Sequence, residues 1–304
     1  MRALAGFIMR GRSAAALVAA AAAALFWLFP PFLVASGAVV ALATLRRGAA
    51  EGGLLMLLAG LGAVALSGLA LGTPWPMLKV LLACWLPLWL LALILRATVS
   101  LTRTVQVAAV MALLGVVGFY LLLGDPAVWW SAILANWRQE LTTLALQQGT
   151  DPATLGQLLG LLEGWAPYLP GQTVSAALLF VLLALFLGRW WQALLFNPGG
   201  FGGEARELRL GQPLALLALS LFAGALLSDW PPLINLALVL GTLYTVQGVA
   251  LVHALVAKLH LSPAWLLLFY LLLLPFLSQL VMALGLVDAW ADFRTRIRPR
   301  PRSS

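Results

Sequence analysis

The sequence predicts an all-α, polytopic transmembrane helical bundle of eight or nine spans, on three observations. First, 63% of the 304 residues are hydrophobic and only 9% are charged, against about 25% charged in an ordinary soluble domain. So few polar residues cannot cover a water-facing surface, which excludes a soluble enzyme, a disordered chain and a disulfide-stapled secreted domain. Second, the apolar residues fall into runs of about the 20 residues that a bilayer-spanning helix needs. Third, the cationic residues between those runs are distributed unevenly, as the positive-inside rule requires.

The elements follow in order. Apolar runs cover about 13–29, 32–45, 52–71, 75–95, 104–123, 172–195, 213–228, 231–257 and 263–287. Glycine and proline punctuate them at Pro30–Pro31, Gly72–Thr73–Pro74, Gly124–Asp125–Pro126, Pro198–Gly199–Gly200 and Pro231–Pro232. Arg2, Arg10 and Arg12 before the first run look like the start of a signal peptide. The run, however, continues into the next without a polar mature start. It reads as a retained first span with a cytoplasmic N-terminus.

Alternation from that start puts eleven cations on the inner side: Arg2, Arg10, Arg12, Arg46, Arg47, Arg96, Arg103, Arg189, Arg206, Arg209 and Lys258. Only Lys79 and Arg138 fall outside. The net charge of +8 is therefore a topological signal, and nucleic acid is not the expected partner. Nine crossings would carry the arginines of the tail, residues 291–304, outside. Eight, with Pro275 breaking 263–287 into a re-entrant piece or 213–228 failing to cross, would keep them in the cytoplasm. Tryptophans such as Trp75, Trp129, Trp130, Trp190, Trp191, Trp230, Trp265 and Trp290 mark span ends, where amphipathic rings prefer the headgroup level.

Residues 1–290 read as a single membrane domain with two features. The segment 124–171 forms two amphipathic helices, Ala127–Gln148 and Ala153–Trp165, on the extracytoplasmic side, with Asp151 at the start of the second. The loop 196–212, N-P-G-G-F-G-G-E-A-R-E-L-R-L-G-Q from Asn197, reads as a flexible cytoplasmic turn followed by a short helix, Glu204–Leu210. Its weak match to a dinucleotide fingerprint lacks the strand such a fingerprint needs.

No hydrolytic or metal-ligand motif is present, and two histidines with one cysteine make no zinc site. No enzyme, cofactor or metal centre is expected. Cys84 reads as a small packing residue. Trp85 and Trp89, four apart, form either a packing face or an aromatic wall for a ligand. The most polar span is 231–257, where Asn235, Thr242 and His253 fall within about 20° on a helical wheel. With Gln247, elsewhere on the same helix, they are the candidate ligand-cavity residues. The bland alternative is hydrogen bonding between helices. Tyr270, Ser278 and Gln279 could join either arrangement. Asn197, Gly199, Gly200, Arg206 and Arg209 are the candidate docking residues for a cytoplasmic partner.

The opening M-R-A-L-A-G-F-I-M-R-G-R-S, the Gly-rich loop, Q-G-V-A-L-V-H-A-L from Gln247 and G-L-V-D-A-W-A-D-F-R from Gly285 resemble the YybS-like family of bacterial inner-membrane proteins of unknown function. That family is similar to the substrate-binding S components of energy-coupling-factor transporters. The resemblance implies an outward-facing small-molecule pocket and, without an ATP-binding motif here, a separate ATPase. It also implies that a small-residue stripe on the first span, Ala15/Ala19/Ala23 or Ala16/Ala20/Ala24, docks a membrane coupling subunit. The expected function is a small-molecule-binding, transporter-like membrane component. The alternative is a non-transporting scaffold or regulator that docks cytoplasmic proteins or anionic lipid through the Gly-rich loop and basic tail.

Overall fold

The computed structural model describes residues 1–147, 151–272 and 276–297. Among these residues there is no strand. The helices are α1 (Arg2–Met9), α2 (Arg12–Ala24, extended by a 3₁₀ turn), α3 (Pro31–Arg47), α4 (Ala49–Leu71), α5 (Trp75–Thr98) and α6 (Leu101–Leu123). There follow α7 (Pro126–Gln147), α8 (Pro152–Gly164), α9 (Leu169–Phe196), α10 (Gly200–Arg206), α11 (Gln212–Ser228) and α12 (Pro231–Lys258). Last come α13 (Ala264–Leu272), α14 (Ser278–Ala291) and α15 (Phe293–Arg296). Among the described residues, five helical stretches are long and apolar enough to cross a membrane: Ala49–Leu71, Trp75–Thr98, Leu101–Leu123, Ala153–Phe196 and Pro231–Lys258. The described residues form an all-helical protein whose long apolar helices are candidate membrane spans.

The helices stop where the chain chemistry makes them stop. Gly72 ends α4 in the left-handed region at φ +73°, which costs glycine nothing. Pro74 then precludes continuation. The two helices expected in 124–171 are α7 and α8. Asp151 precedes α8 as anticipated, but its side chain makes no capping hydrogen bond.

Two departures are informative. In the Gly-rich loop the helix forms over the glycines, Gly200–Arg206, and ends before Leu208. Leu208 and Leu210 are both buried. Apolar residues two apart cannot share one face of a helix, so this spacing is served by non-helical backbone. The run 263–287 is two helices, α13 and α14. The expected break at Pro275 lies outside the described residues, as do the tail arginines Arg298, Arg300 and Arg302.

The chain divides into two compact units. Unit 1 comprises Met1–Met111, Ala176–Ala215 and Thr242–Ser304. Its central helix is α3, whose residues 36–45 are all buried. Helices α2, α4 and α5 pack on it. Small residues set these distances, since without a hydrophobic driving force helices in lipid gain from close van der Waals approach. A Cβ on Gly188 of α9 would lie 2.7 Å from the Ala41 Cβ of α3. Ala15, Ala19 and Ala23 are buried within this unit, where α2 meets α3 and α4 and the Ser36 hydroxyl donates to the Ala19 carbonyl at 2.6 Å. That stripe is used inside the chain. Trp89 Nε1–H donates to the Ala49 carbonyl, and Trp85 is buried beside Gly60. Both tryptophans serve packing of α5 on α4. Cys84 is buried.

The tightest contact joins α12 and α14. A Cβ on Gly285 would lie 2.1 Å from the Tyr244 carbonyl oxygen, and one on Gly248 would lie 2.0 Å from the Val281 carbonyl oxygen. The two backbones touch, and only glycine permits it. Beside them the Gln247 carboxamide donates to the Gly285 carbonyl at 2.6 Å and accepts from the Leu210 N–H at 2.7 Å.

Unit 2 comprises Ala112–Ser175 and Leu216–Gly241. Trp130 Nε1–H donates to the Leu162 carbonyl at 2.8 Å, joining α7 to α8. Arg138 and Glu163 add an ion pair.

Gly285→Val forces α14 away from α12. We predict a loss of at least 1–3 kcal/mol, the usual magnitude (~) of overpacking, read as a lower melting temperature in detergent. Gly118→Ala, where a Cβ meets nothing within 4 Å, leaves stability unchanged or raises it.

Candidate functional site

A cavity of about 1120 Å³ lies in unit 1. One wall is α9, through Leu179, Leu183, Phe186 and Trp190. The opposite wall is α12, through Thr242, Val246, Val249 and His253. Tyr270 on α13 and Ser278 at the start of α14 contribute further, and α10 lines the cavity with Phe201, Gly202 and Arg206. The lining is overwhelmingly apolar with a few convergent polar groups, the usual composition of a ligand site.

Three polar features give this cleft its chemistry. His253 Nε2 and the Tyr270 hydroxyl share a hydrogen bond at 2.7 Å; with Nε2 unprotonated, the phenol donates. Thr242 and Thr245 line the cleft further along α12. Arg206 is the charged residue of the lining. Its Nε–H donates to the Gly202 carbonyl at 2.8 Å, which pins the stem of the side chain over α10. Among the described residues Arg206 has no carboxylate partner, so the cavity wall at α10 is cationic.

The structure separates the four candidate ligand-cavity residues. Thr242 and His253 line the cleft. Asn235 does not. Its Oδ1 accepts from the Gly171 N–H at 2.7 Å, while Nδ2 lies 2.6 Å from the Tyr120 hydroxyl, 2.7 Å from the Pro167 carbonyl and 2.8 Å from the Pro231 carbonyl. It is a fully committed brace within unit 2. Gln247 is equally committed, between Leu210 and Gly285. A helical wheel groups residues by azimuth, but α12 spans about 42 Å, and its neighbours change along that length.

The candidate docking residues also divide. Asn197 and Gly199 are exposed, and Gly199 begins α10 at φ +88°. Gly200 sits against Asn197, whose Nδ2 would be 2.3 Å from an added Cβ. Arg206 faces the cleft. Arg209 is engaged inside the chain: it pairs with Asp292 at 2.6 Å, and its N–H donates to Thr102 Oγ1 at 3.4 Å.

A polar clasp around this loop was not anticipated. Asp288 and Arg294 form an ion pair whose side chains are 0% and 9% exposed. Arg294 also donates to the Leu208 carbonyl at 3.0 Å. Lys258 Nζ donates to the Arg294 carbonyl at 2.5 Å, and Gln106 Nε2 to the Leu210 carbonyl at 2.9 Å. The end of α12, the loop 207–211, the start of α6 and the segment 288–296 therefore meet at one end of unit 1. Asp288, Asp292 and Arg294 all lie in the motif from Gly285, but nothing in the spacing of an acid and a base six apart says which loop they hold.

No protein family, curated protein or solved structure matches the chain. Functional reading rests on the geometry.

Burial pushes the Asp292 carboxyl up, but the Arg209 guanidinium and Thr295 outweigh it and hold the group below the ordinary carboxylate range. A depressed pKa contributes stability above the unfolded value, about 3.9, which is lost as pH falls through the folded value. We therefore predict that the Asp292 contribution to the melting temperature of the detergent-solubilised chain is lost as the pH falls below about 4. Asp292→Asn reduces the size of that loss.

Proposed function

We propose that this chain is a multi-pass membrane component that binds a small amphipathic molecule, with an apolar body and an anionic head, in the cleft between α9 and α12. The observation that carries the reading is the cavity itself: about 1120 Å³, apolar along its length, with Arg206 and the His253–Tyr270 pair in its wall. Polar groups at membrane depth are costly unless they meet partners or a cavity. An apolar chain would lie along Leu179, Leu183, Phe186 and Val249. An anionic head would meet Arg206, whose planar guanidinium suits carboxylate or phosphate.

The same reading assigns topology. The cationic ends of α3, α5, α9 and α12 belong to the cytoplasmic side, with the N-terminus, by the positive-inside rule. The hydrogen bond from Lys258 to Arg294 supports α13 and α14 entering and returning on one side, which gives eight crossings and a cytoplasmic chain end. On this reading α7 and α8 are extracytoplasmic. The cleft then borders the cytoplasmic loop, on the opposite side from the pocket that resemblance to S components implies. A transporter-like role would draw energy from a separate subunit. The buried Ala15/Ala19/Ala23 stripe leaves such a subunit to dock elsewhere.

The test is ligand retention. Val249→Trp fills the cleft. Leu226→Trp alters an exposed, lipid-facing position on α11. We predict that the purified chain binds a dansyl-labelled fatty acid saturably and that Val249→Trp weakens binding tenfold or more, about 1.4 kcal/mol. Leu226→Trp leaves it unchanged. Equal binding by all three would remove the cleft as the site. A chain that binds no amphiphile but recovers cytoplasmic proteins from its native membrane would favour the scaffold reading.

A further inference from the structure

A second cavity in unit 1, about 260 Å³, has a different chemistry. It sits where α3, α5 and α9 end, and its polar lining is Arg46, Arg96, Arg189, Gln192, Asn197 and Glu204. Three guanidinium groups face one carboxylate. Glu204 is spoken for: Arg189 Nε donates to it at 3.0 Å, and a second, shorter contact completes a forked pair. Arg189 also donates to Gln192 at 3.2 Å. Among the described residues two positive charges, Arg46 and Arg96, remain without a carboxylate partner.

The two uncompensated arginines are held in position by other means. Arg96 donates to the Thr44 and Leu45 carbonyls at 3.3 and 3.0 Å through one nitrogen. Its remaining N–H groups are left for another acceptor. The Arg46 guanidinium lies 3.8 Å over the Phe196 ring. Stacking fixes its plane and leaves its N–H edge uncommitted, and Arg46 makes no hydrogen bond or ion pair with the described residues. Two guanidinium groups fixed by stacking and by backbone carbonyls, beside a carboxamide, form a donor array that lacks only its acceptor. Arg46 and Arg96 are exposed at the mouth of this cavity, where an anion can reach them from solvent or the lipid surface and relieve the like-charge repulsion that water and salt only partly screen.

We infer that this three-arginine pocket binds a phosphate-type anion, either the headgroup of an anionic phospholipid or a free phosphate. Arg46 and Arg96 hold it through charge-assisted hydrogen bonds. Asn197 adds a donor. Glu204 is the internal competitor: its carboxylate occupies Arg189 and repels the incoming anion. This site is independent of the apolar cleft, because it is too small and too polar for an amphiphile's body. The two pockets share α10, which presents Glu204 to one and Arg206 to the other.

The experiment uses the full chain in a phosphate-free maltoside detergent. In one arm inorganic phosphate is titrated while binding heat is measured. In the other, the chain is mixed with phosphatidylglycerol or phosphatidylcholine and retained lipid is counted by native mass spectrometry. Saturable phosphate binding identifies a free anion, and selective retention of phosphatidylglycerol identifies the lipid source; either supports the site. Arg46→Gln, which disturbs only a ring contact, weakens binding about tenfold, the loss of one charge-assisted bond. Arg96→Gln does the same, and Glu204→Gln strengthens binding. Arg10→Gln and Glu51→Gln change the net charge equally elsewhere and leave binding as it was. The inference is overturned if neither arm shows binding. It is also overturned if Arg46→Gln behaves like Arg10→Gln and Glu204→Gln like Glu51→Gln. A melting curve for each variant separates lost binding from lost fold.

Discussion

The backbone contact between α12 and α14 is the constraint on which the rest of unit 1 depends. Gly248 and Gly285 let two helices meet main chain to main chain, and Gln247 ties a third segment into the junction. Its carboxamide accepts from the Leu210 N–H and donates to the Gly285 carbonyl. In a low-dielectric interior an unpartnered amide of this kind is costly. The three segments are therefore held together by glycine geometry and by polar necessity at once. Once Leu210 is fixed, Leu208 and Arg209 follow, and with them the end of α10 that lines the large cleft.

Around that junction the charged residues are organised by the same logic. Asp288 and Arg294 are buried as a pair, and Arg294 spends a further donor on the Leu208 carbonyl. Removing one member of such a pair strands the other, which is the expensive case for a buried ion pair. The arginines at the ends of α3, α5 and α9 are partly used in the same way. Arg96 closes the carbonyls that terminate α3, and Arg189 fixes α10 through Glu204. A sequence asymmetry that the positive-inside rule explains as topology thus has a second role. The cations are structural ties at one end of the unit, and those left over at Arg46, Arg96 and Arg206 give both cavities their cationic character.

The all-helical class and most helix boundaries were legible in the sequence, because apolar run length, proline and glycine report directly on backbone chemistry. The helix pair α7 and α8 was readable for the same reason. The sites were less so. Asn235 and His253 share a wheel face, yet one is a buried brace between segments and the other lines a cavity, since azimuth does not tell what stands opposite. The large cleft takes one wall from α9 leucines and aromatics, such as Leu183, Phe186 and Trp190, that look like any lipid-facing span. Arg46, Arg96 and Arg189 lie far apart in sequence, and the packing of α5 and α9 on α3 brings them together. The Ala15/Ala19/Ala23 stripe shows the converse: its small-residue spacing was visible, but its partner turned out to be the chain itself.

The measurement that tests this account most directly is amide hydrogen exchange at Leu210 in the intact chain, compared with Gln247→Leu. The account predicts that losing the carboxamide acceptor raises exchange at Leu210 by about tenfold or more, the equivalent of about 1.4 kcal/mol. It also predicts loosening of the whole 204–211 segment and α15, with α7 and α8 unaffected. Unchanged protection at Leu210 would contradict the claim that Gln247 holds the loop, and with it the link from the α12–α14 contact to the two cavities.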